Sequence, residues 1–382
     1  MRPAAFLAGL SYGLAASWLG ASEPVLRILT PSPYQVIQRQ GFDPKHAQVH
    51  QVGGPRLGFA DVAIRGEADG LEGPCQVEFR TVALADAFGT ACGWTKIEGG
   101  VVAGRLAATA RIPAGGWYRL ELRCAAGARS ATGAVAPFGV GEVLLVAGQS
   151  YAAGANQELL KVEDPQGRVA AYDWMRHTWR IANDPLPNAG VRGTIWPALG
   201  NLLLPIVQVP VGFVDVAVGG TASSEWLPGE KLYRNFREAG LALGRFRAVL
   251  WQQGESDVLH RTTAAQYIEN LTRIHRSLDE AWGFSPPWLV AKSTLHPVAY
   301  NDPAGEAVIR DALDELWRRP GFSPGPDTDI LGGENRSLLV SQGRHLTAIG
   351  QRRAGLMWFA SVWQFLNSGA TAAAAEPAST RP

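Results

Sequence analysis

The sequence predicts an α/β protein in two parts, a small antiparallel β-sandwich over residues 25–138 and a parallel sheet wrapped by helices over residues 139–367. Two observations carry this. In the first third, apolar and charged residues alternate, as in "ADVAIRGEA", "CQVEFRTV" and "WYRLELRC", which is the period of strands with one buried and one wet face. After residue 140, uniformly apolar runs alternate with helical stretches, the pattern of a parallel sheet covered on both faces. The length agrees, since 382 residues exceed what one core normally serves.

The first 22 residues belong to neither part. "MRPAAFLAGLSYGLAASWLGAS" combines an Arg with an apolar stretch too short and Gly-rich to span a bilayer, and small residues precede Glu23. That reads as a signal peptide cleaved after Ser22, hence a periplasmic or secreted protein. No later stretch is long enough to span a membrane.

In the β part, Gly and Pro clusters separate the strands. Cys75 shares a face with Val77 and Phe79, and Cys124 with Tyr118, Leu120 and Leu122, so both thiols point into one core. Two outcomes are open: a disulfide that leaves Cys92 free, or two buried reduced thiols.

In the second part the buried strands are "EVLLVAG", "VGFVDVAVGG", "FRAVLWQQG" and "PWLVAKST", with helices over 229–243, 262–282 and 303–318. A last helix starts after Thr347 as N-cap and places Ile349, Leu356, Phe359, Ala360, Trp363 and Leu366 on one core-facing stripe. Residues 368–382, low in complexity, are expected to be disordered.

Composition narrows the function. With 46% apolar and 18% charged residues the chain is globular. Its 35 basic and 34 acidic side chains give a net charge of +1, and no basic stripe tracks a phosphate backbone, so nucleic acid is not an expected partner. The histidines are scattered and no cluster has ligand spacing, so neither metal nor other cofactor is expected.

Ligands of open parallel sheets bind at the carboxyl ends of the strands. There the chain places Gly148-Gln149-Ser150, Gly219-Gly220-Thr221 and Gln253-Gly254-Glu255-Ser256-Asp257, and "GRHLTAIG" brings His345 to the entry of the last helix. A serine hydroxyl becomes a nucleophile when an imidazole takes its proton, and a tetrahedral intermediate needs donors aimed at its oxyanion. Ser150 and His345 supply the first pair. The backbone N–H groups of Ser150 and Gly220 and the Gln253 amide supply the donors. His296, which follows "PWLVAKST", is the rival base, ranked lower because Pro297 follows it. Gln149, Tyr151 and Trp226 are expected to line the substrate pocket, Trp226 as an aromatic wall; most of the other tryptophans are packing.

Taken in order, "GQS", "GGT", "WQQGESD" and "HLTAIG" resemble the successive blocks of the SGNH hydrolase superfamily, specifically the sialate O-acetylesterase-like carbohydrate esterases. "YQVIQR", "GGWYRLELR" and "VGEVLLVAGQS" resemble the accessory β-domain and its junction in that family, so the resemblance covers roughly residues 30 to 365. It implies a three-layer, flavodoxin-like α/β/α domain, with Ser150 as nucleophile, Gly220 and Gln253 at the oxyanion positions and His345 as general base.

Two positions depart from that pattern. Tyr151 stands where the family usually has Asn. Gln342 stands where the family places an Asp that orients the histidine; the same exchange in a serine protease lowers turnover about 10⁴-fold. Three repairs are open. Another carboxylate, from Glu255, Asp257, Asp327 or Asp329, reaches His345. Alternatively a carbonyl of Gln342 accepts the imidazole N–H in a Ser–His dyad, or hydrolysis has been lost. The implied function is a carbohydrate O-acetylesterase acting through an acetyl-serine, on a small or polymeric O-acetylated sugar. The alternatives are a sugar O-acetyltransferase with the same Ser–His apparatus and a non-catalytic carbohydrate-binding protein. Oligomeric state is left open.

Overall fold

A computed structural model describes residues 23–42, 57–71, 75–295, 301–338 and 343–368; the expected signal peptide, the tail beyond Ser368, His296 and Gln342 lie outside them. Strands β1 (Val25–Thr30), β3 (Phe59–Asp69), β4 (Cys75–Phe88), β5 (Cys92–Val102), β6 (Arg105–Pro113), β7 (Gly115–Ala126) and β8 (Arg129–Gly148) pair antiparallel in the order β1-β3-β6-β5-β4-β7-β8, and the short β2 (Val36–Gln38) lies parallel to β8. The period-two pattern is realised: β3 alternates buried and exposed residues along its length. The two-sheet sandwich is corrected to one continuous sheet that curls until its ends meet, a Cβ on Gly133 of β8 falling 2.4 Å from the Leu26 carbonyl of β1. Register shifts between β4 and β5, β4 and β7, and β7 and β8 supply the bends. Cys75 and Cys124 do face this core, both free, with their thiols in hydrogen-bond contact; burial pushes the Cys124 thiol up to about 12.

The boundary at 138/139 falls inside a strand. The first half of β8 pairs with β7, and its last residues become the centre of the second sheet. There β11 (Val211–Asp215), β8, β12 (Ala248–Gln252), β13 (Trp288–Lys292) and β14 (Phe322–Asp327) are neighbours in that order, all parallel, so the first strand sits between the second and third of a doubly wound sheet. Strand β9 (Val169–Asp173) extends it parallel to β11, and β10 (Thr178–Ile181) turns back antiparallel. The second of the sheet's two faces is covered by α2 (Lys231–Leu243), α4 (Ala264–Trp282) and α5 (Pro303–Leu316), against Val143, Leu145, Val249, Trp251 and Trp288; the first is covered by α1 (Trp196–Val207) and α6 (Ala348–Asn367), against Leu144, Val146 and Leu250. Successive residues of a strand point to opposite faces, which is why these strands are apolar throughout.

α6 buries a different stripe from the one expected. Ile349 and Leu356 are half exposed and Ala360 is exposed, whereas Gly350, Gln351, Ala354, Gly355, Trp358, Val362, Phe365 and Leu366 face inward. Small residues decide the face: a Cβ on Gly355 would lie 2.7 Å from Ala198 of α1, so only this side admits so close an approach.

Between the two parts lies a buried ionic cluster. Glu142 at the hinge of β8 receives Arg39 (Nε–Oε1 2.7 Å) and Arg247 (Nε–Oε2 2.7 Å). The two guanidiniums outweigh burial and hold its carboxyl down at about 2.

Candidate active site

Ser150 is delivered by a turn that backbone geometry defines. Gly148, the last residue of β8, has φ +128°, and a Cβ there would lie 2.1 Å from the Gln252 carbonyl of β12, so only glycine closes the strand this way. The Gln149 N–H donates to that carbonyl (2.9 Å), and the N–H groups of Ala152 and Ala153 both donate to the Gln149 carbonyl (3.0 Å each). Ser150 stands half-buried on this turn. The Gln149 side chain is buried and accepts from the N–H groups of Gly254 and Ser256 (3.2 Å each), fastening the serine turn to the short helix α3 (Glu255–Leu259). That placement makes it a brace and not a pocket lining.

On one side of Ser150 stand Gly219 and Gly220. A Cβ on Gly219 would lie 3.5 Å from the Ser150 Cβ, and Gly220, at φ +75°, faces open space. Thr221 anchors this turn, donating to the Val218 carbonyl (2.8 Å) and accepting from Trp226 Nε1 (3.1 Å). Trp226 is fully buried, with Phe236 and Trp251 against its ring. The expected aromatic wall is thus a core residue, drawn inward because the opposite face of its turn packs on α2 and β12. Gln253 is fully buried as well. Its Nε2 donates to the Thr221 carbonyl (3.1 Å) and to Asp257 Oδ2 (2.5 Å), and its Oε1 accepts from Tyr267 (3.1 Å), so both amide hydrogens have protein acceptors.

His345 is half-buried, just ahead of α6. Tyr151 meets it edge to face, with ring centroids 5.7 Å apart and planes at 81°. The Tyr151 hydroxyl donates to the Arg344 carbonyl and accepts from Arg336 Nη1. Tyr151 is 4% exposed, so it too sits behind the site and does not line it. Asn156, fully buried, donates to the Tyr151 carbonyl (2.9 Å) and accepts from the Leu346 N–H (3.2 Å). Neither Asn156 nor Arg336 stands out in the sequence, because a lone Asn in "GANQ" or Arg in "ENRS" has no pattern about it.

The carboxylates near the site differ in what they have left to offer. Asp257 accepts from the Ser223 N–H and hydroxyl (2.7 Å each) and from Gln253. Asp329 accepts from the N–H groups of Thr294 and Leu295, the Thr294 hydroxyl and Arg310, and Asp327 takes Arg310 through both oxygens. Glu255 is different. It is 3% exposed, its Oε1 accepts from the Ser293 hydroxyl (3.2 Å), and its Oε2 has no partner among the described residues. Burial pushes its carboxyl up to about 8, Asp329 adds to the rise, and Arg336 opposes it. Among the described residues no group of three His, Cys, Asp or Glu is placed to hold a metal ion.

Residues 140–301 match the family described as carbohydrate esterase, sialic acid-specific acetylesterase. That match supports an SGNH-like carbohydrate esterase. A probable carbohydrate esterase of Arabidopsis thaliana is 42% identical over 72 residues, 18% of this chain and 28% of that protein's length. A carbohydrate acetylesterase from Xanthomonas citri has a similar fold, with a TM-score of 0.54 at 18% identity over 89% of this chain and 74% of that one. Among the described residues no helix is long and apolar enough to cross a membrane.

Proposed function

We propose that this chain is a carbohydrate O-acetylesterase working through an acetyl-serine intermediate. One observation supports the reading: Ser150 stands at the carboxyl end of the sheet with the Gly219 backbone against it, and its chain neighbour Tyr151 meets the His345 ring edge to face. Ser150 Oγ attacks the acetyl carbonyl carbon while His345 takes the hydroxyl proton. The N–H groups of Ser150 and Gly220 hold the oxyanion. Collapse breaks the ester bond, and His345 returns the proton to the departing sugar oxygen. Water, deprotonated by the same imidazole, then releases acetate and restores the serine.

Gln253, with both amide hydrogens engaged, serves this site by bracing the Thr221 carbonyl beside Gly220. Glu255 fits the third position better than the other carboxylates because its Oε2 is unengaged and it lies within electrostatic reach of Tyr151 and Arg336, which hold the histidine's loop. Hydrolysis of 4-nitrophenyl acetate tests the reading. Ser150→Ala and His345→Ala are each expected to lower kcat by about 10³-fold or more. Wild-type rates in both would remove the acetylesterase reading and favour a sugar-binding protein.

A further inference from the structure

We propose that Tyr151 is a positioning residue for the general base, fixing His345 from both of its chain neighbours at once. The proposal rests on the reading of His345 as base. The Tyr151 hydroxyl donates to the carbonyl of Arg344, the residue before His345. The Tyr151 carbonyl accepts from Asn156, whose other end accepts from the N–H of Leu346, the residue after it. Its ring stands perpendicular to the imidazole between these two ties. Arg336 locks the first tie, giving one N–H to the Tyr151 hydroxyl, the same nitrogen to the Arg344 carbonyl (3.0 Å), and Nε to the Leu331 carbonyl (2.6 Å).

Position is what such a frame supplies. Tyr151 is one peptide unit from Ser150, so whatever fixes His345 to Tyr151 fixes it to the nucleophile. Misplacing a reacting group by about 1 Å costs on the order of 10² in rate. The charged groups near the phenol are Arg336, Glu255 and Asp329, and burial dominates them, pushing its pKa far up. It therefore remains a donor across the working range.

The test is steady-state hydrolysis of 4-nitrophenyl acetate by the full chain, with Tyr151→Phe made in the wild-type and in the His345→Ala backgrounds. Phenylalanine keeps the ring and deletes the tie to Arg344. The expected result is a kcat about tenfold lower in the wild-type background at unchanged KM, and no further fall once His345 is gone. Asn156→Ala, which cuts the other tie, is expected to follow the same pattern. An equal fall in both backgrounds, or a wild-type kcat with only a lower Tm, would overturn the proposal. A wild-type rate in His345→Ala alone would overturn the reading of the base beneath it, and that outcome is visible without any change at Tyr151.

Discussion

The Ser150 turn and the loop that carries His345 are held by different means. The serine turn is closed by main chain: a glycine against the Gln252 carbonyl, and three N–H groups committed to two carbonyls. The His345 loop has main-chain ties of its own, the Ser337 N–H donating to the His345 carbonyl (2.7 Å) and the Gln157 N–H to the Leu346 carbonyl (3.0 Å), but what ties it to Tyr151 is side chains: the Tyr151 hydroxyl, the Asn156 amide and Arg336. A main-chain turn tolerates few residues but asks little of their chemistry. A side-chain frame asks for particular hydroxyl, amide and guanidinium groups. The nucleophile half should therefore break at glycine, and the base half at polar side chains.

The largest effect is expected at Gly148. An alanine there must adopt φ +128° and meet a carbonyl oxygen at 2.1 Å, so strain and clash together cost about 4 kcal/mol or more. Urea unfolding of Gly148→Ala measures this. An unfolding free energy within about 1 kcal/mol of wild type would mean that the turn has another way to close and that the contrast is wrong on the serine side.

That contrast also explains which residues can be read in the sequence. Ser150, Gly219 and Gly220 are legible because each ends an apolar run, and the carboxyl end of a parallel strand is where a site must lie. Strand β14 is not, since "FSPGPD" carries two prolines that only a sheet edge accepts. α1 hides for a related reason: with Pro197 near its start, Pro205 inside and almost no polar face, it has no helical period to find. The α6 stripe is misread because apolar residues surround that helix, and the buried side is chosen by Gly350, Ala354 and Gly355. Trp226 and Gln253 sit where the blocks put them, yet their side chains turn inward, and no spacing rule records that direction. The base half is the least legible, since its ties join residues about 190 positions apart.

Glu255 sharpens the comparison next. Its folded carboxyl titrates at about 8 against an ordinary 4.5, so between those values the folded chain carries a proton that the unfolded chain has lost. Stability from this group is therefore complete below about 4.5, declines as pH rises and is gone above about 8. Glu255→Gln should flatten that stretch of the Tm-against-pH curve. In the proposed role of orienting His345 the group would work only when ionised, so kcat/KM should then rise with an apparent pKa near 8. In Glu255→Gln that rise should vanish and kcat/KM at pH 8.5 should fall by about 10²-fold or more. A rise kept intact in the variant would take Glu255 out of the mechanism and leave Ser150 and His345 as a dyad.

The smallest effects should separate burial from mere proximity, using two adjacent residues of α6 that both reach Glu158 in the loop after the serine turn. Arg352 meets the Glu158 carboxylate through two nitrogens, at 2.6 and 3.0 Å, but both partners are largely exposed. Gln351 is fully buried; it donates to the carbonyls of Glu158 (2.9 Å) and Thr194 (2.8 Å) and accepts from the Glu158 N–H (2.8 Å). An exposed ion pair contributes about 0.2–1 kcal/mol even with good geometry. Removing the buried amide takes its hydrogen bonds from three main-chain groups, at about 1–3 kcal/mol or more in total. Arg352→Ala should therefore lower the unfolding free energy by under about 1 kcal/mol, and Gln351→Ala by at least twice as much. Equal losses would show that the two halves of the site are joined by the ion pair as much as by the buried polar frame, and the division drawn between them would then have to move outward to the surface of α6.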